Sequence, residues 1–242
     1  MKARFKDLAS RSSVGRSLLE AWREVRVIGR SAVGNTQGLG QPLNGQVARM
    51  RTVRALLNAF SPDAVVETGT FLGDTTSFFS GNLIPVYSIE VKRLFFLAAR
   101  WRLKGHRDVT LVRGDSRDVL RRMARRPPFE RPFVYLDAHW WHHLPLRIEV
   151  AQILSAWNES IILIDDFQVP HDPGYGFDAH DGVPLSLDYL GLPDGVVGAF
   201  PATPSHKETG GRRGALYIAK GPSAHRAIRQ MADQGHLLIV DG

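Results

Sequence analysis

Five short apolar runs in this sequence each end in, or run into, an acidic side chain: Glu67, Glu90, Asp115, Asp137 and the pair Asp165-Asp166. Carboxylates placed this way bind ligand hydroxyls, hold a cation, or cap the helix that follows. The first run leads into Glu67-Thr68-Gly69-Thr70-Phe71-Leu72-Gly73-Asp74-Thr75-Thr76, an acid and two glycines followed by a threonine pair that opens a helical pattern. Gly69 permits a sharp turn with positive φ, and Gly73 permits the helix to approach the strand. The helix start behind them offers unpaired N–H groups and the positive end of the helix dipole, which suits a polar ligand. A tight turn without any ligand would use the same glycines. Glu90 lies 23 residues after Glu67, the separation at which a second-strand acid reaches a ribose diol in nucleoside-binding folds. Asp115, followed by Ser116 and a helical pattern, reads equally as a cap and as a ligand contact.

Asp137 lies 28 residues before Asp165 and 29 before Asp166, at the ends of two successive predicted strands. Three converging carboxylates suit Mg²⁺, Mn²⁺ or Ca²⁺, with waters or substrate oxygens completing the shell. Without a cation they repel one another. Two residues past Asp137, His139 is the best-placed proton acceptor, with an ordinary pKa suited to the task. His142, His143 and His171 are less well placed. A zinc site from Asp137, His139, His142 and His143 has the donor types but not a strand-end geometry that would converge. Trp140 and Trp141 read as an acceptor-pocket wall or as core. Capping of the following loop by Asp165 and Asp166 is the metal-free alternative.

These residues need elements to position them. Helical spacing covers 46–60, 75–79, 92–104, 116–124, 145–157 and 224–232, with a short helix near 185–190. Within 92–104 the residues expected to face inward are Leu94, Phe95, Leu97, Ala98 and Trp101, and within 46–60 they are Val47, Met50, Val53, Leu56, Leu57 and Phe60. Strands are expected at 64–67, 84–90, 109–112, 133–137 and 160–166, alternating with the helices. Such alternation implies right-handed crossovers and a parallel sheet covered on both faces. Two further strands, 196–200 and 215–219, lack a helix between them and predict an antiparallel pair at the sheet edge, with a short strand at 237–240. Glycines and prolines make 169–181 a loop. The fold class is therefore α/β, a Rossmann-like, doubly wound, mostly parallel sheet with a C-terminal antiparallel strand pair. Residues 1–45 form a separate N-terminal helical arm, a lid or a homo-oligomer contact, ahead of a domain at 46–242.

The 242 residues allow one substantial α/β domain, and the lack of cysteine removes disulfides, thiolate metal sites and a cysteine nucleophile. No apolar run is long enough to span a membrane, and the N-terminus has no signal-peptide core, so a cytoplasmic location is expected. The net charge of +7 is unevenly spread. Residues 1–60 carry 11 Lys/Arg against 3 Asp/Glu and residues 100–131 carry 11 against 4, while residues 132–210 carry 2 against 11. The basic arm invites nucleic acid, an anionic surface or an acidic partner, but the acidic stretch around the candidate centre opposes a nucleic-acid substrate.

Taken together, Glu67-Thr-Gly69-Thr-Phe-Leu-Gly73, Glu90 ending the second strand, Gly114-Asp115-Ser116 after the third and Leu136-Asp137 ending the fourth resemble the motif series of class I S-adenosylmethionine-dependent methyltransferases, over about residues 46–220. The resemblance implies S-adenosylmethionine as cofactor. Glu67, Gly69, Thr70, Gly73 and Thr76 would line its methionine end and Glu90 its ribose. Asp115 and Ser116 would lie beside its adenine, with Asp137 close by. A dinucleotide loop would read Gly-x-Gly-x-x-Gly, and no Gly-Lys-Ser/Thr loop is present. The carboxylates Asp137, Asp165 and Asp166 are similar to those of metal-dependent O-methyltransferases, of the catechol type or the macrocin-type sugar group; the catechol type usually has Asn at the place of Asp166. The expected function is O-methylation of a hydroxylated small molecule, a sugar or an aromatic natural-product acceptor, with Mg²⁺, Mn²⁺ or Ca²⁺ and with Asp137 and His139 as catalytic residues. The alternatives are a nucleic-acid methyltransferase that uses the basic arm and a non-catalytic cofactor-binding scaffold.

Overall fold

The computed structural model describes Val25 and residues 41–81, 83–139 and 144–240. The N-terminal arm up to residue 40, save Val25, lies outside the described residues, as do Trp140, Trp141, His142 and His143. A 3₁₀ turn at Pro42–Gly45 leads into α1 (Val47–Phe60), β1 (Ala64–Thr68), α2 (Asp74–Phe79), β2 (Val86–Glu90), α3 (Arg93–Arg102) and β3 (Val109–Arg113). Next come α4 (Ser116–Arg125), β4 (Pro132–Leu136), α5 (Leu146–Ala156) and β5 (Ser160–Asp165). A small hairpin follows, with β6 (Ala179–His180) at the end of the segment expected to be loop and β7 (Val183–Pro184) just past it. The chain ends through α6 (Leu187–Leu190), β8 (Val196–Pro201), β9 (Ala215–Lys220), α7 (Pro222–Asp233) and β10 (Leu237–Val240).

Eight strands form one sheet in the order β10-β8-β9-β5-β4-β1-β2-β3. The five strands β1 to β5 are parallel, and β9 joins antiparallel to β5 and to β8. The antiparallel pair is present as expected, with β10 added outside it as the edge. Strand order reverses between β1 and β4, the place where an open α/β sheet leaves a crevice at its carboxyl edge.

The central strands read as unbroken apolar runs because both faces are covered: Ile161, Ile162, Leu163 and Ile164 of β5 are all fully buried. Alternation sends Val65, Phe133, Ile161 and Leu163 toward α1 and α7, and Val66, Val134, Ile162 and Ile164 toward α4 and α5. Two helix faces differ from expectation. In α1 the buried residues are Arg49, Thr52, Val53, Leu56, Leu57 and Phe60, while Val47 is exposed, because Arg49 turns inward to meet a buried acid. In α3 the apolar run Leu94–Leu97 fits two registers; the helix buries Phe95 and Ala99 and leaves Trp101 72% exposed. Among the described residues no helix is long and apolar enough to cross a membrane.

Candidate active site

Glu67, in β1, lies fully buried between Ser88 of β2 and Tyr135 of β4 in the strand register. Its Oε2 accepts hydrogen bonds from Thr76 Oγ1 and, at 2.5 Å, from Ser88 Oγ. Oε1 is buried without a partner. Burial pushes the carboxyl up to about 7 against the opposing pull of Ser88 and Thr76. Thr70 Oγ1 shares a 2.6 Å hydrogen bond with Ser88 Oγ, so the glycine loop is pinned to β2.

Gly69 and Gly73 both have positive φ, at +88° and +83°. A side chain at Gly69 would put its Cβ 2.2 Å from the carbonyl oxygen of Asp137, so the loop touches the end of β4 at a point where only glycine fits. At Gly73 the Cβ would meet Leu103, just past α3, at 2.8 Å; the close approach is to that helix end rather than to the strand. Glu90 holds the far side of the loop, accepting from the amides of Phe71 (2.8 Å) and Lys92 (2.7 Å). Asp115 caps α4 through the amide of Arg117 and pairs with its guanidinium at 2.6 Å. Ser116 beside it is buried.

The acidic cluster divides at the end of β5. Asp165 points to the α1 face, where the Arg49 guanidinium binds it closely. Asn44 Nδ2 (2.8 Å), Tyr135 OH (2.5 Å) and the amide of Asp166 (2.8 Å) donate to it as well. Asp166, next in sequence, takes a positive φ of 52° and faces the other way. There Asp137, His139 and Asp166 each offer one ligand atom, all within 4.8 Å of one another. His139 thus occupies the place expected for Asp165, whose oxygens are already committed. Asp165 and Asp166 separate at the end of β5, where the positive φ of Asp166 turns its side chain toward His139.

Charge in the triad is partly balanced. Arg213 donates to Asp166 and Asp178, and His139 Nε2 lies 3.7 Å from Asp166 Oδ2. Burial alone would raise Asp166, but His139 and Arg213 bring it down to about 2. His139, which burial would keep neutral, is raised above the ordinary histidine value by Asp166, Asp165 and Asp178. Asp137 accepts from the Tyr135 hydroxyl at 3.3 Å, and burial together with Asp165, Asp166 and Glu67 pushes it well above the usual carboxylate range. A divalent cation fits this donor set: it would relieve the carboxylate repulsion and engage His139 Nε2, which is buried without a hydrogen-bond partner. One imidazole among the donors shifts the preference from Ca²⁺ and Mg²⁺ toward Mn²⁺ or Zn²⁺. His171 is exposed against Phe200 and takes no part in the triad. Arg49, Arg213, Tyr135 and Ser88 hold the acids of the candidate site, and motif reading passed over them because their partners lie in other elements.

No protein-family model matches this sequence, and no curated protein sequence matches it. Solved structures do. An O-methyltransferase from Bacillus cereus in complex with SAH superposes with a TM-score of 0.55 at 16% identity, over 81% of this chain and 90% of that one. The O-methyltransferase TomG from Streptomyces achromogenes, involved in tomaymycin synthesis and solved with SAM, gives 0.50 at 17% identity over 71% and 80%. A Klebsiella pneumoniae protein described as a candidate O-methyltransferase gives 0.58 at 16% identity over 87% and 97%. The chain has the class I fold of the S-adenosylmethionine-dependent methyltransferases. The three solved chains named above are O-methyltransferases or described as candidates for that activity.

Proposed function

We propose that this protein is an S-adenosylmethionine-dependent O-methyltransferase that acts on a hydroxylated small molecule, a sugar or an aromatic natural-product acceptor, with a divalent metal held by Asp137, His139 and Asp166. The observation that carries the reading is the contact of Gly69 with the Asp137 carbonyl, which sets a cofactor-type loop directly against the triad. Glu67, Thr70 and Thr76 wall the methionine end, and Glu90 steadies the loop over the ribose. S-Adenosylmethionine supplies the methyl group as an electrophilic sulfonium. Asp137 and Asp166 would hold the cation, with His139 as a nitrogen donor. A metal held there would supply Lewis-acid activation of an acceptor hydroxyl, whose proton would pass to water. Asp178 and Asp181, close by in sequence and part of the acidic stretch, favour a small neutral or cationic acceptor over a nucleic acid.

The raised pKa of His139 beside Asp166 favours one second reading, a metal-free dyad in which Asp166 orients His139 as the proton acceptor. Calorimetry with S-adenosylmethionine tests both readings: binding in the micromolar range is expected, and none at millimolar ligand rejects them together. With an acceptor in hand, the metal form predicts loss of turnover in chelator, restored best by Mn²⁺. Activity that survives chelation but disappears in His139→Ala selects the dyad.

A further inference from the structure

The outward face of α3 takes no part in the site described above. From Val91 to Arg107 the chain carries Lys92, Arg93, Arg100, Arg102, Lys104 and Arg107 and no acidic residue. Three- and four-residue steps set Arg93, Leu97, Arg100 and Trp101 on one stripe of α3, with Lys104 continuing it just past the helix end. All five are exposed, Leu97 by 45% and Trp101 by 72%. Lys104 Nζ lies 5.6 Å from the centre of the Trp101 ring, so cation and indole form one patch. Arg102 points elsewhere, bound to Asp74 and to the carbonyl of Leu72. Among the described residues no acid pairs with Arg93, Arg100, Lys104 or Arg107. The helix packs through Phe95 and Ala99 onto β2 and β3, the last two strands at the open edge of the sheet.

Charge narrows the choice of partner. The basic N-terminal stretch, or α3 of a second copy, would meet this face with like charge, which opposes association. A nucleic-acid backbone would satisfy the cations and leave Leu97 facing phosphate. An anionic bilayer answers both halves of the patch: phosphates at the level of the cations and acyl chains beneath them. Tryptophan favours that interface, and Lys and Arg lay their stems along apolar surface while the charge stays among headgroups.

We infer that the outward face of α3 seats this protein on a membrane surface rich in anionic phospholipid, with Leu97 and Trp101 entering the interface and Arg93, Arg100, Lys104 and Arg107 meeting the headgroups. The crevice opens at the carboxyl edge between β1 and β4, with β2 between it and the terminal strand β3. A bilayer seated on α3 therefore lies beside the crevice and does not cover it.

The test is co-sedimentation of the full chain with vesicles of phosphatidylcholine alone and of equal parts phosphatidylcholine and phosphatidylglycerol. Binding to the anionic vesicles is expected to be tighter by about tenfold or more and to weaken in high salt. Because the N-terminal stretch is also basic, two surface variants isolate the helix. Leu97→Ser/Trp101→Ser and Arg100→Gln/Lys104→Gln are each expected to weaken anionic-vesicle binding by about tenfold while Tm stays unchanged. Tryptophan emission is expected to shift to the blue on anionic vesicles in wild type and not in Trp101→Phe, and that comparison decides alone if either double variant is unfolded. Wild type that binds no vesicle overturns the inference. Variants that bind as wild type does also overturn it and assign the contact to the N-terminal stretch. Binding of a single-stranded RNA oligonucleotide in place of vesicles, lost in both variants, overturns it too and makes this face a nucleic-acid contact.

Discussion

Glu67 is the residue whose chemistry depends most on where it is buried. Its carboxyl, near 4.5 in the unfolded chain, is pushed up to about 7 in the folded one. Below about 4.5 it is protonated in both states and costs nothing. Between 4.5 and 7 the folded protein binds the extra proton, so stability falls as pH rises, and above 7 the whole penalty is present. Glu67→Gln removes this slope. In urea unfolding without ligand, the variant should gain about 3 kcal/mol on wild type between pH 4.5 and pH 7. Parallel stability curves for the two proteins would show that Glu67 does not ionise in that window. At this scale Asp137, Asp166 and His139 could be singled out in the sequence, because residues that end adjacent parallel strands lie near one another. The commitment of Asp165 elsewhere could not, since its partner Arg49 stands 116 positions earlier, and no local pattern announces such a pairing.

Among the elements, α1 and β5 are joined at the site by the buried pair of Arg49 and Asp165. Removing one member strands the other charge in the interior. Arg49→Met is expected to cost about 3–5 kcal/mol in denaturant unfolding. The double variant Arg49→Met/Asp165→Asn, in which Tyr135 and Asn44 still have an acceptor, should recover most of that. A double variant as unstable as the single one would show that α1 is held by its apolar face instead. The strand and helix boundaries were largely legible, since runs such as Ile161–Ile164 and the stops at Ser61-Pro62 are local features. Helix faces were less so. The run Leu94–Leu97 gives α3 two equally apolar sides, and only packing against β2 and β3 decides between them.

Across the whole molecule, the segment after β8 returns to close the start of α1. Glu208 accepts from the amides of Ala48 and Arg49, each at 3.1 Å, and Thr209 Oγ1 accepts from Val47 at 2.9 Å and donates to Gly45. The same segment carries Arg213, whose amide donates to Gln46 at 2.8 Å and whose guanidinium reaches Asp166. Glu208→Ala should therefore lower stability by about 1–2 kcal/mol, read as a drop in Tm with a single cooperative transition. An unchanged Tm would mean that water caps α1 equally well.

That helix cap also bears on how the chain is made. A ribosome delivers Val47 some 160 residues before Glu208, so α1 waits uncapped until that segment emerges. Asp166 likewise waits for Arg213, 47 residues behind it. Contacts this distant in sequence close late and slowly, so the nascent chain carries an acidic, unneutralised centre until Arg213 emerges. The interval between the delivery of Asp166 and that of Arg213 is the one in which this centre most needs shielding from aggregation and proteolysis.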